Sequence, residues 1–284
     1  MMSNKNNQKT LAEEFLKLHH EPQILLLPNA WDVVTTKIYE QLGFRAIGTT
    51  SAGIAATLGY PDGEVMTLEE NLSVVKRIIK STNLPVSVDI EGGYSSNIEG
   101  AVKAADAALE IGAVGVNLED STGDNNNPFF DVSEVVERIK GIRSMAEVRE
   151  IQLVINLRTD VYMLSEDDPR IKFRHTVERA NIFKEAGANC IFVPDMGNLN
   201  EKIIKEFVKE IDAPLNIIAA DNIPPVQKLE EIGVARLSFG PRPMRAMLAL
   251  LVRMKKELLE KGTYEIMSSD MLSYSEINKI LIEN

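Results

Sequence analysis

Short apolar runs alternate with longer stretches of helical spacing along the whole chain. The runs ILLLPNA near 24, RAIGTT near 45, LPVSVDI near 84, VGVNLE near 114, QLVINLRTD near 152, NCIFVPD near 189, PLNIIAAD near 214 and VARLSFG near 234 have the length and β-branched content of strands. Amphipathic segments lie between them. Several end in QLGF, EIGA, EAGA or EIGV, where Gly43, Gly112, Gly187 and Gly233 are placed to end a helix in the left-handed conformation. Eight strands separated by helices predict a parallel (β/α)8 TIM barrel of the α/β class. A doubly wound sheet shares that element order, so the alternation inside the strands decides. Val86, Val88 and Ile90 oppose Ser87, Asp89 and Glu91; Val116 and Leu118 oppose Asn117 and Glu119; Leu153, Ile155 and Leu157 oppose Asn156, Arg158 and Asp160. One apolar and one polar face suit a barrel, whose strands pack outward on helices and open inward, at their carboxyl ends, toward an active site.

No linker of domain size interrupts this pattern, and residues 1–284 are expected to form a single barrel domain with a leading helix over 1–22 and C-terminal helices over 242–284. PRPMRAMLALLVRMKKELLEKG is strongly amphipathic with Pro243 near its start, and the tail SEINKILIEN reads as another short helix. An apolar terminal helix either covers its own barrel or serves oligomerisation. The polar stretch DSTGDNNNPFFD over 120–131 follows the fourth strand and is expected to be a mobile lid.

Composition narrows the function classes. A hydrophobic content of 44% in 284 residues supplies a large core, and a formal net charge of -11 argues against nucleic acid or an anionic membrane as partner. An anionic substrate would need local cations. Cys190 is the single cysteine, so no intrachain disulfide can form, and the polar start MMSNKNNQKT lacks the apolar core of a signal peptide. The expected location is cytoplasmic.

The strongest local signal for chemistry is Asp89 and Glu91, one residue apart at a strand end and therefore on one face. Two carboxylates there repel unless a cation compensates them, and hard oxygen donors suit Mg2+ or Mn2+. Glu119 and Arg158 end the next two strands at the same rim. Arg158 offers a planar fork for a substrate carboxylate, and Glu119 could hold the metal through water or orient a proton. In the loop after the second strand, Ser51, Ala52 and Gly53 have little bulk, and their backbone N–H groups could receive an anion. His19, His20 and His175 have no convincing catalytic position.

With these motifs in order, the chain resembles the isocitrate lyase/phosphoenolpyruvate mutase superfamily over nearly its whole length. PNAWD resembles the first-strand motif, with Trp31 and Asp32 near substrate; TTSAG resembles the carboxylate-binding loop; GYPDGE supplies Asp62, matching an aspartate near the metal and its waters. VDIEGGY supplies Asp89 and Glu91 where the family usually has D-x-D, NLED supplies Glu119, LRTD supplies Arg158, and PLNI supplies Asn216 near a substrate-binding asparagine. The resemblance implies Asp89, Glu91 and Glu119 as metal residues, Asp62, Glu119 and Arg158 as catalytic, and Trp31, Ser51 to Gly53, Arg158 and Asn216 as substrate-binding. It also implies magnesium-supported chemistry on α-keto or α-hydroxy acids through a pyruvate enolate, and a last barrel helix exchanged between subunits of a homodimer or homotetramer.

The lid departs from the superfamily's lyases, which carry K-[KR]-C-G-H there. STGDNNNPFF has neither Cys, Lys nor His, and Cys190 falls in the sixth strand. The phosphonate-processing branch carries Lys and Asn in the lid; Asn127 sits at a matching offset, without the lysine. The expected activity is carbon–carbon cleavage or decarboxylation of a small keto or hydroxy acid, like the oxaloacetate decarboxylases. The alternatives are a phosphonate enzyme, mutase or hydrolase, and a keto-acid-binding barrel that has lost catalysis.

Overall fold

The computed structural model describes residues 2–194, 197 and 199–282, with side chains described from residue 6 onward. All of its strands are parallel and form one closed ring. β1 (Leu25–Leu27) and β2 (Asn29–Ala30) are two halves of a single stave interrupted at Pro28, which has no N–H for the ladder. The other staves are β3 (Ile47–Thr49), β4 (Val86–Asp89), β5 (Gly115–Glu119), β6 (Val154–Arg158), β7 (Cys190–Phe192), β8 (Leu215–Ile218) and β9 (Arg236–Ser238). Consecutive staves pair from β2 through to β9, and β1 pairs back onto β9, with Leu26 opposite Leu237, to close the barrel. This is the (β/α)8 architecture that the alternation predicted.

Helices α2 (Val33–Gln41), α3 (Ser51–Leu58), α4 (Leu68–Lys80), α5 (Ile98–Glu110), α6 (Val132–Arg149), α7 (Val161–Leu164), α8 (Pro169–Ala186), α9 (Glu201–Glu210) and α10 (Val226–Ile232) fill the crossovers, and α1 (Met2–Leu18) precedes them. Gly43, Gly112, Gly187 and Gly233 all have the positive φ expected where a helix ends before the next strand. The outward strand residues Val88, Val116, Leu118, Ile155 and Leu157, with Ile90 just past the end of β4, are fully buried in one cluster with helix residues such as Ala105, Ile139 and Phe183. Each large aliphatic or aromatic side chain so buried stabilises the fold by roughly 1.5–3 kcal/mol. The first helix closes the amino end of the barrel. Phe15 is fully buried, its Cε1 2.7 Å from where a Cβ on Gly115 would stand, and Gln8 Nε2 donates to the carbonyls of Leu109 and Ala113 at 2.8 and 2.9 Å.

Two local expectations change. The loop read after the second strand begins a helix at Ser51, because Thr50 takes an extended N-cap conformation and its side chain accepts from the Gly53 N–H, ahead of the helix-favouring Ala55 and Ala56. Strand β4 stops at Asp89, and Glu91 stands in the following turn with φ +48°. The two carboxylates still reach one cavity, but a turn, not strand alternation, places the second.

After the last stave come α11 (Arg242–Lys261), α12 (Glu265–Ser268) and α13 (Tyr274–Ile282). α13 packs on α2. α11 buries little beyond Met244 and Glu257, while Met247, Leu248, Leu251, Val252, Leu258 and Leu259 are exposed, so it does not cover its own barrel. The last two residues of the tail, at 283 and 284, lie outside the described residues. Among the described residues no helix is long and apolar enough to cross a membrane.

Candidate active site

The carboxyl ends of the staves surround a cavity of about 480 Å3. Asp89, at the end of β4, is held on both oxygens. Its Oδ2 accepts from the Ser51 N–H at 3.0 Å and the Ser51 hydroxyl at 2.7 Å, and its Oδ1 accepts from Asn117 Nδ2 at 2.9 Å. Asn117 in turn accepts from Asn156 Nδ2 at 2.7 Å, so inward amides on β5 and β6 fix the orientation of the carboxylate on β4. Ser51 is thus tied to the carboxylate by the same N–H that sequence reading offered to an anion.

Glu91 is held by a different set. Its Oε1 accepts from the Tyr94 hydroxyl at 3.0 Å and its Oε2 from the Glu64 N–H at 2.9 Å, while Glu64 Oε1 accepts from the Tyr94 N–H at 3.0 Å. Glu64, Glu91 and Tyr94 all have left-handed backbone, with φ of 58°, 48° and 53°. Such non-glycine conformations cost on the order of 1–3 kcal/mol each and persist only where the surroundings enforce them. Here the three residues bind one another. Burial, then the neighbouring Asp89 charge, push the Glu91 carboxyl up to about 8.

Glu119 and Arg158 are register partners on β5 and β6. Arg158 Nη1 donates to Glu119 Oε1 at 2.7 Å, and its Nε donates to Asp160 Oδ1 at 2.6 Å. Burial raises the Glu119 pKa and Arg158 partly offsets it, against the added repulsion of Asp160 and Asp89. Burial alone would lower the Arg158 pKa, but Asp160 and Glu119 outweigh it and keep the guanidinium charged. Asp62, in the turn before α4, lines the cavity mouth, where desolvation and the charge of Asp89 raise its pKa.

Of the sequence-predicted residues, Ser51, Ala52, Asp62, Asp89, Glu91, Glu119 and Arg158 line this one cavity. Trp31, Gly53 and Asn216 do not line it. Trp31 packs behind Gly53, where an added Cβ would stand 2.9 Å from Trp31 Cβ and 2.6 Å from Thr50 Cγ2. Asp32 caps α2 by accepting from the Thr35 N–H at 2.7 Å. Asn216 is fully buried within the barrel, its Oδ1 accepting from the Ser238 hydroxyl at 3.2 Å. The lid folds back on itself through the Thr122 N–H to the Pro128 carbonyl at 3.0 Å and the Phe130 N–H to the Asp120 carbonyl at 2.9 Å. It turns Asp124 and Asn125 into the cavity and leaves Asn127 out of the lining. Cys190 is also outside the lining, and burial pushes its thiol up to about 12.

Sequence reading missed Arg236, Arg242 and Arg245, which line the cavity as well. The alternation of Arg236 and Ser238 within VARLSFG is the period-two signal that could have found the first, and the spacing of the two arginines in RPMR the others.

Among the described residues no group of three or more His, Cys, Asp or Glu side chains converges on a point that could hold a metal ion. The donor chemistry nonetheless fits a hard divalent cation. Asp62, Asp89, Glu91 and Glu119 present oxygens around one cavity, three of them with raised proton affinity because their charges are crowded and desolvated. A cation attached partly through its own water would relieve that crowding without requiring three carboxylates to meet.

The family model described as phosphoenolpyruvate phosphomutase matches residues 15–259. The chain belongs to the phosphoenolpyruvate phosphomutase family. A Mycobacterium tuberculosis protein, itself uncharacterised, is 33% identical over 82% of this chain and 83% of its own length. The 2-methylisocitrate lyase of Halalkalibacterium halodurans is 27% identical over 95% of this chain and 89% of its own. In fold, the family member matches the crystal structure of 2,3-dimethylmalate lyase, from the phosphoenolpyruvate mutase/isocitrate lyase superfamily, with a TM-score of 0.81 at 18% identity over 95% of this chain and 94% of that one. The superfamily assignment made from the ordered motifs therefore stands.

Proposed function

We propose that this protein is a magnesium-dependent lyase that cleaves a carbon–carbon bond, or decarboxylates, a small α-keto or α-hydroxy acid through a pyruvate enolate. The observation that carries the reading is the crowding of Asp62, Asp89, Glu91 and Glu119 around one cavity whose lid presents no thiol. Asp89, Glu91 and Glu119 would hold the cation, with Mn2+ as a substitute for Mg2+. When bound, the cation supplies positive charge toward the oxygen on which the enolate develops.

The chain's own residues do the rest. Ser51 and Asn117 hold Asp89 by both oxygens, so little reorganisation accompanies substrate entry. Arg158 keeps its charge throughout and faces the cavity, where it can orient a substrate carboxylate while it remains bonded to Glu119 and Asp160. Glu119, with its raised proton affinity, is suited to hold or deliver a proton to the nascent enolate carbon. Cys190, buried outside the cavity and with a thiol unionised at neutral pH, takes no part. Loss of carbon dioxide needs no acid from the lid, which accords with its composition.

The family to which the chain belongs, together with the lid's Asn125 in the cavity, supports a second reading as a phosphonate enzyme. The test is turnover with and without magnesium on oxaloacetate, substituted malates, methylisocitrate and phosphonopyruvate, with phosphorus NMR for the last. Magnesium-dependent release of pyruvate or carbon dioxide is expected. Phosphoenolpyruvate or free phosphate from phosphonopyruvate would move the assignment to the second reading. Absent turnover on the whole panel would sink both in favour of a binding barrel without catalysis, and metal-independent turnover would sink the magnesium-dependent reading.

A further inference from the structure

Arg158 cannot account for all the anion-binding capacity of the cavity, because its charge is already met by Glu119 and Asp160. Arg236 is different. It is the first residue of β9 and 3% exposed, and its Nε and Nη1 find no hydrogen-bond partner. No carboxylate is within ion-pair distance of it among the described residues; Asp89 acts on it only at longer range, with both its oxygens taken. Cys190 lies near enough to influence it but keeps its proton. A buried guanidinium without a counter-charge is among the costliest arrangements a fold can hold, and burial pulls its pKa down to about 10 without neutralising it at physiological pH. Water can satisfy its N–H groups but not its charge.

Its surroundings indicate what it awaits. Arg236 lines the same cavity as Asp89 and Arg158. On the neighbouring stave Asn216 is its register partner, so both side chains leave the same face of the sheet, and Asn216 Nδ2 is a second fully buried donor without a partner. Donors are in surplus here, whereas acceptors are in surplus on the β4 to β6 side of the cavity.

We propose that Arg236, backed by Asn216 behind the cavity lining, binds a second carboxylate of the substrate, so that the enzyme selects diacids over the matching monoacids. The inference rests on the proposed function and specifies its substrate class. One end of the acid, with its keto or hydroxy group, faces Asp89 and Arg158; the far carboxylate reaches into the barrel to Arg236. Charge-assisted hydrogen bonds to a desolvated guanidinium favour the diacid by on the order of tenfold to a hundredfold in affinity.

The test compares keto acids that differ only at the far end, 2-oxobutyrate against fresh oxaloacetate and 2-oxopentanoate against 2-oxoglutarate, by calorimetry on the magnesium-loaded protein. The diacid of at least one pair should bind about tenfold tighter or more. Arg236→Gln should bring that diacid down to its monoacid while leaving the monoacid within about twofold, and Arg236→Lys should keep part of the preference. Arg236→Met should also raise the melting temperature of the unliganded protein, a readout independent of any substrate. Monoacid binding without diacid preference, or a preference that survives Arg236→Gln, would overturn this inference and leave the proposed function standing. If no keto acid binds, both fall.

Discussion

Arg158 Nη1 donates to Glu119 Oε1 at 2.7 Å across neighbouring staves, and its charge offsets that of Glu119, whose Oε2 accepts from the Ser121 hydroxyl at 3.2 Å. Replacing Arg158 by Met therefore leaves Glu119 and Asp160 desolvated and repelling each other. Urea denaturation should show a loss of about 3–5 kcal/mol. Arg158→Met with Glu119→Gln should recover part of it, since the second change removes one stranded charge. Turnover should be lost in both. Equal stability of the wild type and Arg158→Met would mean that the pair contributes nothing to the fold.

Glu91 gives a pH dependence with a definite sign. In the folded, metal-free protein its carboxyl keeps a proton up to about pH 8, whereas the unfolded chain releases it near the ordinary glutamate value of 4.5. Between these limits the native state binds the extra proton, so stability is highest at the acid end, falls as pH rises through the window, and levels off above about 8. Melting curves in chelator from pH 5 to 9 should show this decline, and Glu91→Gln should flatten it. Because a cation needs the ionised carboxylate, magnesium affinity should climb over the same range. A melting temperature that rises toward pH 8 in chelator would contradict the assignment.

Gly53→Ala tests the wall behind Ser51. A methyl group there would stand 2.6 Å from Thr50 Cγ2 and 2.9 Å from Trp31 Cβ, inside any tolerable contact, and Trp31 is itself buried. Overpacking of this kind costs roughly 1–3 kcal/mol. The displaced helix start would also carry Ser51 away from Asp89, so kcat should fall more than tenfold, as a misplacement near 1 Å can do. Thermal melting and steady-state kinetics read the two effects separately. Unchanged kcat at reduced stability would show that Gly53 serves packing alone.

How much of this was legible in the chain depends on how local each signal is. Asp89, Glu119 and Arg158 were readable because each ends a strand whose polar positions alternate with buried Val, Ile or Leu, and a period of two is a property of a few consecutive residues. Glu91 was found for a partly different reason: alternation assigned it to a strand, but it stands in a left-handed turn held by Glu64 and Tyr94, and no spacing rule links those three. Arg236 carried the same alternation as Arg158. Its meaning depends on barrel closure, which sets it beside Asn216 and, among the described residues, beyond ion-pair distance of any carboxylate. The resemblance brought Trp31 and Asn216 to notice, and in the fold they back the cavity instead of lining it.

The bare face of α11 supports the last prediction. Met247, Leu248, Leu251, Val252, Leu258 and Leu259 are all exposed on one helix, although α13 beyond it finds a place on α2. Each such side chain is worth roughly 1.5–3 kcal/mol when fully buried. Six together can meet an association cost of roughly 4–15 kcal/mol, so α11 is expected to bury this face on a second copy of the chain. Light scattering should give a homodimer or homotetramer, and Leu251→Asp with Val252→Asp should yield monomer at micromolar concentration. The same helix begins in the cavity wall with Arg242 and Arg245. A helix released from its partner would no longer hold those cations in place, so the monomeric variant should lose activity although its substitutions lie outside the cavity lining. A wild-type chain that scatters as a monomer and remains active would refute the role assigned to that face.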